Sequence, residues 1–166
     1  MIIKKYEEAK ANKQEIAQMI KSFRNFLASL KKRDQDMTVK EALKELEYYN
    51  DKIYPIYTAV INKDDYAGYF ILKYDDDGVW LEHFFVKEVY RKQDIGSKMF
   101  QKAEKVVEQL GYVYLYNWVH PNNYRMINFL KKQGYDVLNM IEIRKKIKKE
   151  KFKSSINVGK SKFRYN

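Results

Sequence analysis

The chain has 166 residues, 45% hydrophobic and 33% charged, with 15 Tyr, 9 Phe, 6 Gly and 2 Pro. That mixture suits one globular domain burying roughly 70% of its unfolded surface, and it excludes disordered, collagen-like and low-complexity classes. The absence of Cys excludes a disulfide scaffold, a Cys-ligated zinc site and a covalent Cys nucleophile, and fits a reducing cytoplasm. The net charge of +11 is unevenly spread: residues 144–166 hold ten Lys or Arg against one acid (Glu150), a net +9, while the first 143 residues hold 23 against 21.

Asn12 followed by Glu15 has capping-box spacing, and Ile16, Met19, Ile20, Phe23, Leu27 and Leu30 then recur on one helical face. Thr38 with Glu41 repeats the start signal for a second helix, marked by Ala42, Leu43, Leu46 and Tyr49 and ending near Asn50. The period then changes. Pro55 precedes a β-branched and aromatic run, Ile56 to Ile61, and Lys63-Asp64-Asp65 predicts a turn. Tyr66 to Tyr74 reads as a strand, Asp77-Gly78 as hairpin turn chemistry, and Val79 to Val86 as a third strand antiparallel to the second.

Ser97 to Leu110 predicts a helix ended by Gly111, and Tyr112 to Val119 a strand. Tyr112, Tyr114, Tyr116 and Trp118 fall on one face of that strand, where core packing is the default and base stacking the sharper alternative. Asn122 or Asn123 caps a helix running to Gln133 and stopped by Gly134, and Tyr135 to Ile147 reads as a strand or hairpin. This order predicts an α/β fold with a mixed central sheet flanked by helices, including at least one parallel pair. Residues 1–147 form the expected single domain, with 148–166 a basic segment of the same domain or a tail, read first as a solvated end and second as an anion or nucleic-acid contact. No stretch approaches the ~20 apolar residues that span a bilayer, and charges in Met1–Ala9 stand where a signal peptide is apolar. No membrane association is expected.

The chemistry concentrates between the third strand and the next helix. A helix start presents unpaired N–H groups and a positive dipole end, which favour a phosphate. Gly96 allows close approach there, the Ser97 hydroxyl adds a donor, and Arg91, Lys92 and Lys98 add positive charge. Neither Gly-x-x-x-x-Gly-Lys-Ser/Thr nor Gly-x-Gly-x-x-Gly occurs, so nucleotide hydrolysis and dinucleotide chemistry lack support.

The run Trp80-Leu81-Glu82-His83-Phe84-Phe85-Val86, then Arg91-Lys92-Gln93-Asp94-Ile95-Gly96 and Ser97-Lys98, resembles the acetyl-CoA-binding segment of the GCN5-related N-acetyltransferases (GNAT), whose pattern is Gln/Arg-x-x-Gly-x-Gly/Ala. Asp94 stands where the family has its first glycine. Asn123 to Tyr135 is similar to the helix and Gly-aromatic turn that flank the cofactor's thiol end. The resemblance covers about residues 55 to 147, with residues 1–54 fitting as the family's variable first strand and helix pair. It implies the acyl-CoA N-acyltransferase fold, with the coenzyme A pyrophosphate on the backbone of Gln93, Asp94, Ile95, Gly96, Ser97 and Lys98. Arg91, Lys92 and Asn123 lie nearby, and the pantetheine arm pairs with Phe85 and Val86 where neighbouring strands splay.

The resemblance also implies transfer of acetyl to a primary amine of a small molecule, polyamine or protein. Leu130 occupies the position of the family's usual acid, a Tyr, leaving Tyr124 and Tyr135 as the nearest substitutes in sequence. Glu82 is the expected base, similar in placement to that of polyamine acetyltransferases, with Trp80 and Phe84 expected on its strand face. Strand alternation separates His83 from Glu82. His83 and His120, the only histidines, make a poor metal pair, and no metal is expected. A homodimer is compatible with the sequence. The rival expectation is a binding module that keeps the fold, has lost the chemistry at Leu130 and Asp94, and docks its basic segment on RNA or a ribosome.

Overall fold

The structure, a computed structural model, describes residues 1–34, 36–62 and 65–166; Lys63 and Asp64 of the expected turn lie outside the described residues. Among those described, the elements run β1 (Ile2–Lys5), α1 (Lys13–Leu30), α2 (Val39–Asp51), β2 (Ile56–Asn62), β3 (Asp65–Asp75), β4 (Gly78–Val86), a 3-10 turn (Glu88–Tyr90), α3 (Ile95–Gln109), β5 (Leu115–Tyr116), α4 (Tyr124–Lys132), β6 (Ser154–Val158) and β7 (Ser161–Tyr165). Two compact units are formed, one from residues 1–27 and 35–118, the other from 28–34 and 119–166. No described helix is long and apolar enough to cross a membrane.

In the first unit a five-stranded mixed sheet has the order β1-β2-β3-β4-β5. The first four strands are antiparallel neighbours, and β5 joins β4 in parallel through Val79↔Leu115 and Trp80↔Tyr116 alone. Thr38 closes the α2 capping box by accepting from the Glu41 amide at 3.2 Å, while Glu41 accepts from the Thr38 amide at 2.7 Å. Asn12 caps α1 only halfway: its Oδ1 accepts from the Glu15 amide, but its own amide donates to the Tyr66 hydroxyl and Glu15 pairs with Lys87.

Ile16, Met19 and Ile20 of α1 and Ala42, Leu46 and Tyr49 of α2 bury against Ile56, Tyr69 and Ile71 on one sheet face. On α3, Met99, Phe100, Ala103, Val106 and Val107 are buried, and the helix packs on β3 and β4. Gly111, at φ 85°, follows α3 in the left-handed region as expected.

Two expectations fail. The strand at Tyr112–Val119 contracts to two residues, with Tyr114 and Trp118 exposed. The aromatic row is therefore not core: Trp80 packs against both Tyr116 and Trp118 at the sheet edge. Tyr135–Ile147 forms no strand, and Val137, Leu138, Met140, Ile143 and Ile147 are exposed. β-propensity measures fit to a partnered, half-buried surface, and no described strand partners this segment. The basic end, expected as part of the same domain or as a tail, holds two further strands. β6 and β7 form an antiparallel hairpin closed by Gly159-Lys160, with Gly159 at φ 57°, where glycine favours the tight turn. In that unit Phe152 lies under the guanidinium groups of both Arg144 and Arg164, and Glu150 binds Arg144.

Candidate functional site

The parallel pairing of β4 with β5 ends at Trp80 and Tyr116, so the two strands part from Leu81 onward, earlier along β4 than the Phe85–Val86 position expected. At that divergence β4 carries a bulge. Ile71 pairs with His83 and Leu72 with Leu81, which leaves Glu82 as the extra residue on the bulged strand. This overturns the expected separation of Glu82 from His83. A bulge cancels one step of alternation, and both side chains meet Tyr49 of α2. The Tyr49 hydroxyl donates to Glu82 Oε1 at 3.1 Å, and the Tyr49 ring meets the His83 ring edge-on at 5.1 Å. Phe84 is not on the Glu82 face; it packs on Phe100 of α3. Glu82 Oε2 is buried and has no hydrogen-bond partner among the described residues.

Behind Glu82 lies a buried polar network. His83 is fully buried; its Nδ1 is 3.0 Å from the Tyr69 hydroxyl and its Nε2 is 3.0 Å from Glu45 Oε1. Arg24 of α1 donates Nε to the same Glu45 oxygen at 2.8 Å. Burial works against the Glu45 carboxylate, but the His83 and Arg24 contacts prevail and lower its pKa to about 2. Burial lowers the pKa of His83. With Nδ1 accepting the Tyr69 proton, Nε2 stands close to Glu45 without hydrogen-bond geometry. Burial also raises Tyr49 and Tyr69 above the ordinary tyrosine range, with the Glu82 charge adding to the effect at Tyr49; both hydroxyls stay protonated.

The second part of the site is the entry to α3. Lys92 and Asp94 both take left-handed backbone conformations, at φ 59° and 61°. Asp94 thus adopts the geometry for which the expected pattern has glycine; Asp is among the few residues that tolerate it. Its side chain makes no cap hydrogen bond, and the first helical bond runs from the Lys98 amide to the Asp94 carbonyl. The amides of Ile95, Gly96 and Ser97 precede that bond and point out of the helix start. Gly96 and Ser97 are half-buried; Ile95 is buried in the core beneath them. This backbone fits a phosphate group.

The charged side chains are arranged differently from expectation. Lys98 pairs with Asp94 at 3.7 Å. Arg91 folds back, donating Nε to the Val86 carbonyl at 3.0 Å and lying over the Phe85 ring. Gln93 donates to the Val89 carbonyl. Lys92 is exposed.

Asn123 and Tyr124 belong to the second unit. Asn123 Oδ1 caps α4 by accepting from the Met126 amide at 3.2 Å. Tyr124 is exposed, and its proximity raises the pKa of Tyr165. Leu130 is buried, and His120 Nδ1 accepts from the Asn122 amide at 3.2 Å. Sequence reasoning missed Tyr49, Glu45, Arg24 and Asn117. Tyr49 recurs with Ala42 and Leu46 on the apolar face of α2 and so reads as core. Asn117 directly follows β5, with Oδ1 buried and unpartnered among the described residues and Nδ2 donated to the Leu115 carbonyl.

The sequence pattern of the acetyltransferase (GNAT) family matches residues 20–135. No curated protein sequence matches the chain. Among solved structures it is similar to a GNAT-family acetyltransferase from Staphylococcus aureus (19% identity, TM-score 0.63, covering 80% of this chain and 82% of that one). It is also similar to an aminoglycoside 6'-N-acetyltransferase from Acinetobacter haemolyticus (15%, 0.63, 89% and 99%). A third likeness is to the ribosomal-protein-S18-alanine N-acetyltransferase of Escherichia coli (16%, 0.56, 80% and 76%). At these identities the likeness is one of fold.

Proposed function

Because the chain belongs to the acetyltransferase (GNAT) family, we propose that it is an acetyl-CoA-dependent N-acetyltransferase acting directly on a primary amine. The observation that carries this reading is the entry to α3, where Asp94 at φ 61° and an uncapped first turn keep the backbone that the family's glycine pattern supplies. The amides of Ile95, Gly96 and Ser97 would hold the pyrophosphate, and Phe85 and Val86 would flank the pantetheine arm. When bound, acetyl-CoA supplies the thioester whose acyl carbon the amine attacks.

Glu82 takes the proton that the amine must lose, and its free oxygen suits that task because Oε1 is already bonded to Tyr49. A route through an acetyl-cysteine is closed, as the chain has no Cys. Tyr124 remains the proposed proton source for the leaving thiolate. A thiol with ordinary pKa ~8.5 also leaves acceptably near neutrality without help.

Acetyl-CoA is expected to raise the melting temperature with rising occupancy, and Gly96→Trp to abolish the shift. Thiol release measured across alkyl diamines, aminoglycosides, lysine peptides and N-terminal alanine peptides would then identify the acceptor. If acetyl-CoA produces no shift and no amine releases thiol, the enzymatic reading falls. The rival RNA-docking reading draws on the folded hairpin, where Lys162 and Arg164 alternate onto one face of β7. It predicts salt-dependent RNA binding that Lys162→Glu with Arg164→Glu removes.

A further inference from the structure

Resting on the assignment of Glu82 as base, we infer that Tyr49 is the positioning residue that holds one carboxylate oxygen of Glu82 and leaves the other to receive the proton of the acceptor amine. Three observations converge. The bulge at Glu82 turns its side chain out of strand alternation toward α2. The Tyr49 hydroxyl bonds Oε1 at 3.1 Å. Oε2 is buried with no partner among the described residues.

A carboxylate on a bulge has no strand neighbour to fix its rotamer, and misplacing a base by about an ångström costs catalysis heavily. Tyr49 supplies that restraint. It is buried, and its ring is packed by Tyr48, Tyr54 and His83, so its hydroxyl has little freedom. The residue that follows Glu82 is pinned as well, since His83 contacts Tyr69 and Glu45, and Glu45 is tied to Arg24. The bulge therefore stands on β3, α1 and α2 together. In the step itself an N–H bond of the ammonium breaks and an Oε2–H bond forms. The freed nitrogen lone pair attacks the acyl carbon, the N–C bond forming as the C–S bond breaks with its electron pair going to the leaving thiolate. The second proton lost by the nitrogen balances the one that the thiolate takes up, and the proton on Glu82 later passes to water.

The test compares Tyr49→Phe, Glu82→Gln and the double variant, using acetyl-CoA with the best primary amine of the panel above. Tyr49→Phe is expected to lower kcat about tenfold with KM for acetyl-CoA unchanged, and Glu82→Gln to lower it further. The double variant should be no slower than Glu82→Gln, because Tyr49 acts only through that carboxylate. Glu82→Asp, which keeps the charge but shortens the reach to Tyr49, should match Tyr49→Phe. If Tyr49→Phe slows the Glu82→Gln background as much as wild type, the positioning role is overturned while the base survives. If Glu82→Gln turns over normally, the base assignment falls and the positioning role with it. One further measurement needs no turnover. In protein labelled with 13C at glutamate carboxyls, the resonance lost in Glu82→Gln should move in Tyr49→Phe; a stationary resonance overturns the contact.

Discussion

His83 Nε2 stands 3.0 Å from Glu45 Oε1, and this contact ties β4 to α2 inside the core that carries the candidate base. Both groups have pKa values lowered by folding: His83 by burial, and Glu45, against its own burial, by His83 and Arg24. Where the unfolded state binds more protons, stability rises with pH. Stability is therefore complete above the unfolded His value of 6.5 and is lost as pH falls, first through His83. A second loss follows below the unfolded Glu value of 4.5 and extends down to about 2 through Glu45. Urea unfolding between pH 7 and pH 5 should show stability falling on acidification, by at most about 1.4 kcal/mol per pH unit for one group. His83→Gln, which cannot titrate, should flatten the curve in that window. An unchanged slope would count against a neutral buried His83.

Asp94→Gly restores a residue with no penalty at φ 61° and removes a carboxylate beside the proposed phosphate seat. Folding stability should stay within about 1 kcal/mol of wild type, because relief of left-handed strain is offset by the flexibility of glycine in the unfolded chain. The melting shift caused by acetyl-CoA should grow. A smaller shift would mean that Asp94 itself contributes to the ligand.

Gly68→Ala tests the register that presents Phe85 and Val86. A Cβ at Gly68 would lie 2.4 Å from the Phe85 carbonyl oxygen and 3.2 Å from Met99 Sδ, so β3 and β4 must move apart. A loss of about 1–3 kcal/mol is expected by urea titration, together with a smaller melting shift on adding acetyl-CoA. A variant as stable as wild type would show that the strands do not approach this closely.

Thr38→Ala removes the hydroxyl that accepts from the Glu41 amide and donates to the Glu41 carboxylate, and keeps only the backbone half of the capping box. Stability should fall by about 1 kcal/mol. Because α2 also carries Tyr49 and Glu45, kcat should fall with it if the helix start sets their position. Equal stability in wild type and variant would remove the cap from the account.

The local signals were legible where a residue acts on its immediate neighbours. Thr38 and Glu41 announced α2, Gly111 and Gly134 the ends of α3 and α4, and Asp77-Gly78 the turn into β4. The motif around Arg91 to Lys98 announced the family that the pattern match then showed. Apolar composition misled where a strand needs a partner: Tyr135–Ile147 carries the right residues but has no described strand beside it. The β6–β7 hairpin was readable in principle from Gly159-Lys160 between alternating Ile156, Val158, Phe163 and Tyr165, a pattern hidden by the density of lysine.

Alternation, caps and turn chemistry are one-dimensional, so the sequence by itself determined the order of elements from α1 to α4 and the loop that opens α3. Only the tertiary structure decided that Glu82 and His83 share a side. A bulge is a mismatch between two strands and is written in neither alone. The same holds for Tyr49, whose hydroxyl meets a carboxylate 33 residues away, and for Asp94, whose left-handed backbone is imposed by the chain on both sides. The charge of +11 likewise separates into a nearly balanced first 143 residues and a basic end that carries β6 and β7, because backbone pairing between two strands, not charge count, decides whether a lysine-rich segment orders.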